Sequence, residues 1–225
     1  MKIYHIPKNF NAIIFDLDST LYTNKEYAKA QTDLPIELLS VLRKKSFEKM
    51  KEEILMFQKK WQEEHEGKEI SLANTFLHFG INIDDIIFWR TRLFHPEEFL
   101  KKDKKLIAAL EELGSRAVLS VVTNNPVSIA ERTLYVLGVG DMFHTVIGLD
   151  TLGVSKPHEE SFMRAAIQCG TVPEMCIAVG DRYDIDIALP LELGMGGILV
   201  DTVSDVYELP NLLLNGDLNG KIGKA

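Results

Sequence analysis

Cysteine is scarce in this chain: Cys169 and Cys176 are the only two in 225 residues, and no metal-ligand spacing surrounds them. That scarcity excludes a disulfide-stapled scaffold and a thiolate zinc centre, leaving both side chains as small apolar packing. Long apolar runs are missing too, with no window near the roughly 18 residues that a membrane helix needs. No membrane partner is expected. The opening Met1 to Lys8 has neither a sustained apolar stretch nor a small-residue cleavage site, so the expected location is cytoplasmic. Positive charge is in deficit, 25 Lys and Arg against 33 Asp and Glu, a formal net charge of −8. Such a balance opposes non-specific binding to a nucleic acid polymer, which rests on cations that release phosphate counterions. A small anionic ligand would need a local positive site. Also absent are the Gly-x-x-x-x-Gly-Lys-Ser/Thr phosphate loop, a Gly-x-Gly-x-x-Gly after a strand, and the His-Glu-x-x-His zinc helix. Gly194-Met195-Gly196-Gly197 follows a helical pattern and precedes a strand, so a helix stop and turn account for it.

What is present is a rhythm. Short apolar runs end in polar residues and helical patterns follow them: Ala12 to Phe15 before Asp16, Ala117 to Val122 before Thr123, Ile177 to Val179 before Gly180-Asp181. Thr145 to Leu149 and Gly197 to Val200 bring the expected count to about five strands. Alternating strand and helix predicts an α/β fold with a doubly wound parallel sheet. Pro126 and Pro157 stand where first helical residues would, and Gly114, Gly138, Gly170 and Gly194 follow apolar-periodic stretches.

Residues 22–98 break this rhythm, reading as helices only between the first strand and the strand ending at Thr123. They are expected to form an inserted all-helical domain, with 1–21 and 99–225 forming the α/β core. Phe47, Met50, Ile54, Phe57 and Trp61 make one apolar stripe on a helix otherwise rich in Lys and Glu. A small helical bundle would cover the stripe, and a second subunit is the other way to cover it, so a homodimer stays open. Further helices are expected to begin near Ser71 and Asp84, either of which can cap one. The tail from Asn215 to Ala225 has few apolar residues, is expected to be poorly ordered, and receives no function.

Four segments carry candidate chemistry. Phe15-Asp16-Leu17-Asp18-Ser19-Thr20 delivers two carboxylates at a strand end, a pair that a cation between the oxygens would stabilise, and hard oxygens suit Mg²⁺. Turn or helix capping explains such aspartates equally well. Thr123-Asn124-Asn125-Pro126 brings a hydroxyl and an amide to a second strand end, where they and the helix amides could donate to phosphate, or simply cap the helix. Lys156-Pro157 holds a lysine before a helix, although most lone lysines are solvated. Gly180-Asp181-Arg182-Tyr183-Asp184-Ile185-Asp186 sets three acids at and beyond a fourth strand end. In a doubly wound sheet the carboxyl ends of strands beside the order switch share one crevice, so Asp16, Asp18, Thr123 and Asp181 can converge.

In this order the four segments resemble the four motifs of the haloacid dehalogenase-like superfamily of hydrolases. Asp16-x-Asp18-x-Thr20 is similar to its nucleophile motif, Thr123-Asn124 to the second, Lys156-Pro157 to the third, and Gly180-Asp181 with Asp186 to the acidic fourth. The likeness spans nearly the whole core, and the helical insertion resembles the family's cap in placement. Ser19 departs from the pattern, standing where Gly or Asn is often found, and so does His158-Glu159 after Lys156-Pro157.

The resemblance implies a phosphatase acting on a small phosphorylated metabolite. Asp16 would be the nucleophile and Asp18 the general acid and base, with Thr123, Asn124 and Lys156 gripping phosphate. Asp16, the Asp18 carbonyl, Asp181 and Asp186 would hold Mg²⁺. A cap hinged near Tyr22 to Lys25 would choose among phosphoglycolate, sugar phosphates and nucleoside monophosphates, with Trp61, Arg90 and Arg92 as its candidate contacts. The competing readings are a haloacid dehalogenase that attacks carbon, and a phospho-acceptor or binding protein without enzymatic activity.

Overall fold

The computed structural model describes residues 1–214; the expectation for the tail from Asn215 lies outside them. In chain order the elements are β1 (Lys2–His5), β2 (Ala12–Phe15), α1 (Lys25–Leu42), α2 (Phe47–Glu64), α3 (Leu72–His78), α4 (Ile83–Leu93), α5 (Pro96–Phe99), α6 (Lys104–Gly114), β3 (Val118–Val122) and α7 (Val127–Leu137). There follow β4 (Thr145–Ile147), α8 (Leu149–Leu152), α9 (Glu159–Gln168), β5 (Cys176–Gly180), a π-helical turn at Tyr183–Ile187, α10 (Ala188–Glu192), β6 (Gly196–Leu199), α11 (Val203–Tyr207) and α12 (Leu209–Leu213). No helix among the described residues is long and apolar enough to cross a membrane.

The six strands form one sheet in the order β1-β6-β5-β2-β3-β4. Five strands are parallel, as the alternation implies, and all fall within a residue or two of their expected bounds. The sixth was not legible. β1 pairs antiparallel with β6 through Ile3 and Ile198, and it buries only Ile3, too little apolar periodicity to declare a strand. Alternation along β2 sends Ile13 and Phe15 to one face, against Leu106 and Leu110 of α6 and Leu134 of α7. Ala12 and Ile14 go to the other, against Phe162 and Ala165 of α9. Helices on both faces explain why β2 is apolar at every position.

Helix starts follow side-chain capping more than proline. Asn24, Ser46, Ser71 and Asn82 each accept from a backbone N–H in the first turn of α1 to α4. Ser71 is the expected cap, but Asn82 takes the place expected of Asp84, which lies inside the first turn, where its charge suits the helix dipole. Pro126 precedes α7 by one residue and Pro157 precedes α9 by two, so neither is a first helical residue. Gly138 ends α7 with φ 80, a left-handed C-cap that glycine adopts without a Cβ penalty.

Between β2 and β3 lie α1 to α4, with a core of their own: Ile36 and Leu39 of α1, Met50 and Ile54 of α2, Phe76 of α3, and Ile86 and Trp89 of α4. Each such side chain contributes about 1.5–3 kcal/mol when fully buried. Met50 and Ile54, the middle of the predicted stripe, are covered within the chain, and Leu149 of α8 joins the same cluster from the core side.

Candidate active site

β2 lies between β3 and β5, so its carboxyl end opens where the chain leaves to opposite sides of the sheet. Asp16 is the first residue past it, and its N–H donates to the Val179 carbonyl at 2.8 Å, prolonging the pairing with β5. Leu17 and Leu21 are buried, which turns the chain over the sheet edge. Ser19 takes φ 63 there, a left-handed conformation costing a side-chain-bearing residue about 1–2 kcal/mol. That is the physical reason Gly or Asn would be the easier choice at its position.

Lys156 binds the site together. It is 1% exposed, and its Nζ donates to Asp16 Oδ1 at 2.5 Å, Asp186 Oδ1 at 2.7 Å and the Val122 carbonyl at 2.8 Å. Three donors thus meet three acceptors from the ends of different strands. Asn124 sets its backbone, accepting the Lys156 N–H on Oδ1 at 2.6 Å and donating from Nδ2 to the Lys156 carbonyl at 3.4 Å. Expected to contact substrate, Asn124 lines the cavity but spends both ends of its amide on the lysine.

Asp18 is held from both sides. Its Oδ1 accepts from Gln31 Nε2 at 2.8 Å and, through a very short bond, from the Tyr22 hydroxyl. Its Oδ2 accepts from Asn125 Nδ2 at 2.8 Å and Thr123 Oγ1 at 3.4 Å. Tyr22 is kept protonated by burial and by the adjacent Asp18 carboxylate. Of these partners only Thr123 was foreseen. Asn125 adjoins the Thr123-Asn124 motif, whereas Gln31 on α1 carries no signal in the sequence.

Asp181 follows β5, and Asp186 reaches back from the π-helical turn, its Oδ2 accepting from the Arg182 N–H at 3.1 Å. A Cβ at Gly180 would lie 2.3 Å from Asp186 Cβ, so only glycine lets the two segments close. Asp16, Asp181 and Asp186 each place an oxygen within 4.8 Å of the others. Asp181 Oδ1 is buried without a hydrogen bond, its nearest cation being Arg182 Nε at 3.9 Å.

Electrostatics follow from that crowding. Burial pushes Asp16 up to about 8; Lys156 opposes the rise, while Asp186, Asp181 and Asp18 add to it. Asp181 is pushed up to about 6, first by burial and then by Asp186. Burial works against the Lys156 ammonium, yet Asp16 and Asp186 outweigh it and hold the group above its ordinary value. These directions are those of a pocket with more carboxylate than cation.

A cavity of about 220 Å³ opens over Asp16, Asp18 and Asp181, walled by Gln31, Arg90 and Arg182 among others. Two of the three insertion residues singled out in the sequence lie elsewhere. Arg92 is exposed beside Phe88. Trp61 stacks on His65 with ring centroids 3.6 Å apart and lines a separate cleft of about 590 Å³.

Comparison with known proteins places the chain in a family. The model of the haloacid dehalogenase-like hydrolases matches residues 10–193. The chain belongs to that family and is a hydrolase of it. A glyceraldehyde 3-phosphate phosphatase of Methanothermobacter thermautotrophicus is 26% identical over 212 residues, covering 91% of this chain and 92% of that protein. A phosphoglycolate phosphatase of Colwellia psychrerythraea is 35% identical over 75 residues, 33% of this chain and 32% of that one. In fold, the chain is similar to the crystal structure of a HAD phosphatase from Thermococcus onnurineus, with TM-score 0.62, 20% identity, and coverage of 95% of this chain and 99% of that one.

Proposed function

We propose that this hydrolase is a Mg²⁺-dependent phosphatase that cleaves a small phosphate monoester through an aspartyl-phosphate on Asp16. One observation carries the reading: a buried lysine is shared by Asp16 and Asp186, while Asp181 Oδ1 beside them is buried without a hydrogen bond and has only Arg182 Nε, at 3.9 Å, as a cation. Hard oxygen donors in excess of cations fit a divalent ion of the Mg²⁺ type. Asp16, Asp181 and Asp186 would hold it, together with the Asp18 carbonyl that the family resemblance adds. When bound, the ion offsets the repulsion between these carboxylates and an incoming phosphate.

The chain's own residues supply the steps. The Asp16 carboxylate attacks phosphorus, the bond from phosphorus to the ester oxygen breaks, and Asp18, which enters this step as the carboxylic acid, gives that oxygen its proton and is left as the carboxylate. Asp18 then takes a proton from water, which attacks the aspartyl-phosphate, releasing inorganic phosphate and restoring Asp16. Lys156 and Thr123 offset negative charge on the transferring group. Tyr22, Gln31 and Asn125 hold Asp18 in one orientation. Residues 22–98 act as a cap that excludes bulk water and bounds substrate size, over a core of 1–21 and 99–225.

The names of the relatives point to short phosphorylated metabolites. Sugar phosphates and nucleoside monophosphates complete the panel to be assayed. Release of phosphate from an aryl phosphate is expected with Mg²⁺ and is expected to stop on chelation and in Asp16→Asn. Turnover surviving that substitution would remove Asp16 as nucleophile.

A further inference from the structure

Arg90, near the end of α4, brings a guanidinium from the insertion into the wall of the Asp16 cavity. It is 8% exposed, so nearly all of its charge is withdrawn from water. Nη1 donates to the Asn124 carbonyl at 2.7 Å and to Asn125 Oδ1 at 3.0 Å, both neutral acceptors. Nε is buried without any partner. Among the described residues no carboxylate comes within the 4.0 Å of an ion pair with Arg90. The Phe94 ring, centred 5.8 Å from Cζ, is also part of the cavity wall. Burial lowers the group to about 10, which still leaves it protonated near neutral pH.

The other cations of the site differ. Lys156 is paired with two carboxylates, and Arg182 Nε lies 3.9 Å from Asp181 Oδ1. Arg90 is the buried cation whose direct contacts are all uncharged; the Asp18 carboxylate acts on it only from beyond ion-pair distance, across Asn125. A buried charge without a counter-ion is costly, and a guanidinium fork is shaped for a planar carboxylate.

We propose that Arg90 forms a subsite for a carboxylate at the non-reacting end of the substrate, so that the enzyme acts on a compact phosphate monoester carrying that group. The proposal rests on the phosphatase reading and narrows it. A cavity of about 220 Å³ that must also hold the phosphate leaves room for a short carbon chain between the two anions. An uncharged end, such as the aldehyde of glyceraldehyde 3-phosphate, would leave Arg90 as it stands in the free protein.

The test compares kcat/KM of the full Mg²⁺-loaded chain on 2-phosphoglycolate and 3-phosphoglycerate with that on glyceraldehyde 3-phosphate and glycerol 3-phosphate. The carboxylate-bearing esters are expected to be favoured about 10- to 100-fold, the range of a charge-assisted hydrogen bond. In Arg90→Met that preference is expected to disappear, mainly through KM, and in Arg90→Lys to survive in part. Because Arg90 also bonds Asn124 and Asn125, the ratio between substrates is the readout, not either rate alone. A measurement free of variants accompanies it: a carboxylate-bearing phosphonate is expected to inhibit the unmodified protein at least about tenfold more tightly than an uncharged one of equal length. Equal turnover and equal inhibition for both classes, or a preference that persists in Arg90→Met, overturns this proposal alone. Failure to hydrolyse every ester, the aryl phosphate included, overturns the phosphatase reading and this proposal with it.

Discussion

The sheet and the helical insertion solve the same problem, covering apolar surface, in ways that leave very different marks on function. Side chains at the ends of β2, β3 and β5 converge because a parallel sheet sends those ends to one edge, so chemistry is concentrated there by topology. The insertion packs Ile36, Met50, Ile54 and Phe76 into a separate cluster, yet it supplies half of the residues lining the shared cavity, Gln31 and Arg90 among them. Under the function proposed above, bond type falls to one region and choice of substrate to the other.

Substitutions can break that division. The largest effect is expected from Asp16→Asn, which should lower phosphate release from every ester by roughly 10⁴-fold or more, as removal of a nucleophile does. Steady-state assays on an aryl phosphate and on metabolites would check that the loss is independent of substrate. Next, Lys156→Met should cost about 10²–10³ in kcat, again irrespective of the ester, because it removes charge from the transferring group. A loss confined to one substrate would contradict the assignment of Lys156 to the common chemistry.

Gly180→Ala probes packing within the core half. With Asp186 Cβ only 2.3 Å from the added methyl, about 1–3 kcal/mol of stability should be lost, read as a lower denaturation midpoint, along with retention of Mg²⁺. A smaller effect comes from pH. Asp16 and Asp181 stand above their unfolded value of 3.8, so the folded chain binds more protons than the unfolded one between about pH 4 and 8. Their contribution to stability is therefore complete below that window and is lost as pH rises through it. Thermal melts without metal should decline across this range, and Mg²⁺ should restore stability more at pH 8 than at pH 5. The smallest change is expected for Trp61→Phe, whose ring lies outside the Asp16 cavity; kcat/KM should stay within about a factor of two.

How legible the molecule is in its sequence follows the same boundary. β2, β3 and β5 announce themselves because burial on both faces demands unbroken apolar runs, and the polar residue ending each run becomes part of the site. Spacing and family likeness together predict that Asp16, Asp18, Lys156, Asp181 and Asp186 meet, and the structure brings them to one crevice, their roles being those proposed above. β1 escaped because an edge strand buries one side chain, and Asp84 was mistaken for a cap because Asn82, two positions earlier, offers the same chemistry. Gln31 carries no signal for another reason, and Arg90 stands out in the sequence no more than Trp61 and Arg92, which lie outside the cavity. A polar residue on a helix looks solvated until the neighbouring fold covers it, and no periodicity tells which residue will face inward.

Where the insertion joins the sheet domain, its two connecting segments are clasped: Asn24 Nδ2 donates to the Phe99 carbonyl at 2.8 Å, and the Tyr27 ring stacks on Phe99 at 5.1 Å. The peptide therefore departs and returns at nearly one point. A module attached through such a narrow neck can be replaced by another of different length without re-registering any strand, which makes the junction a natural place for grafting new specificities onto an unchanged reaction centre.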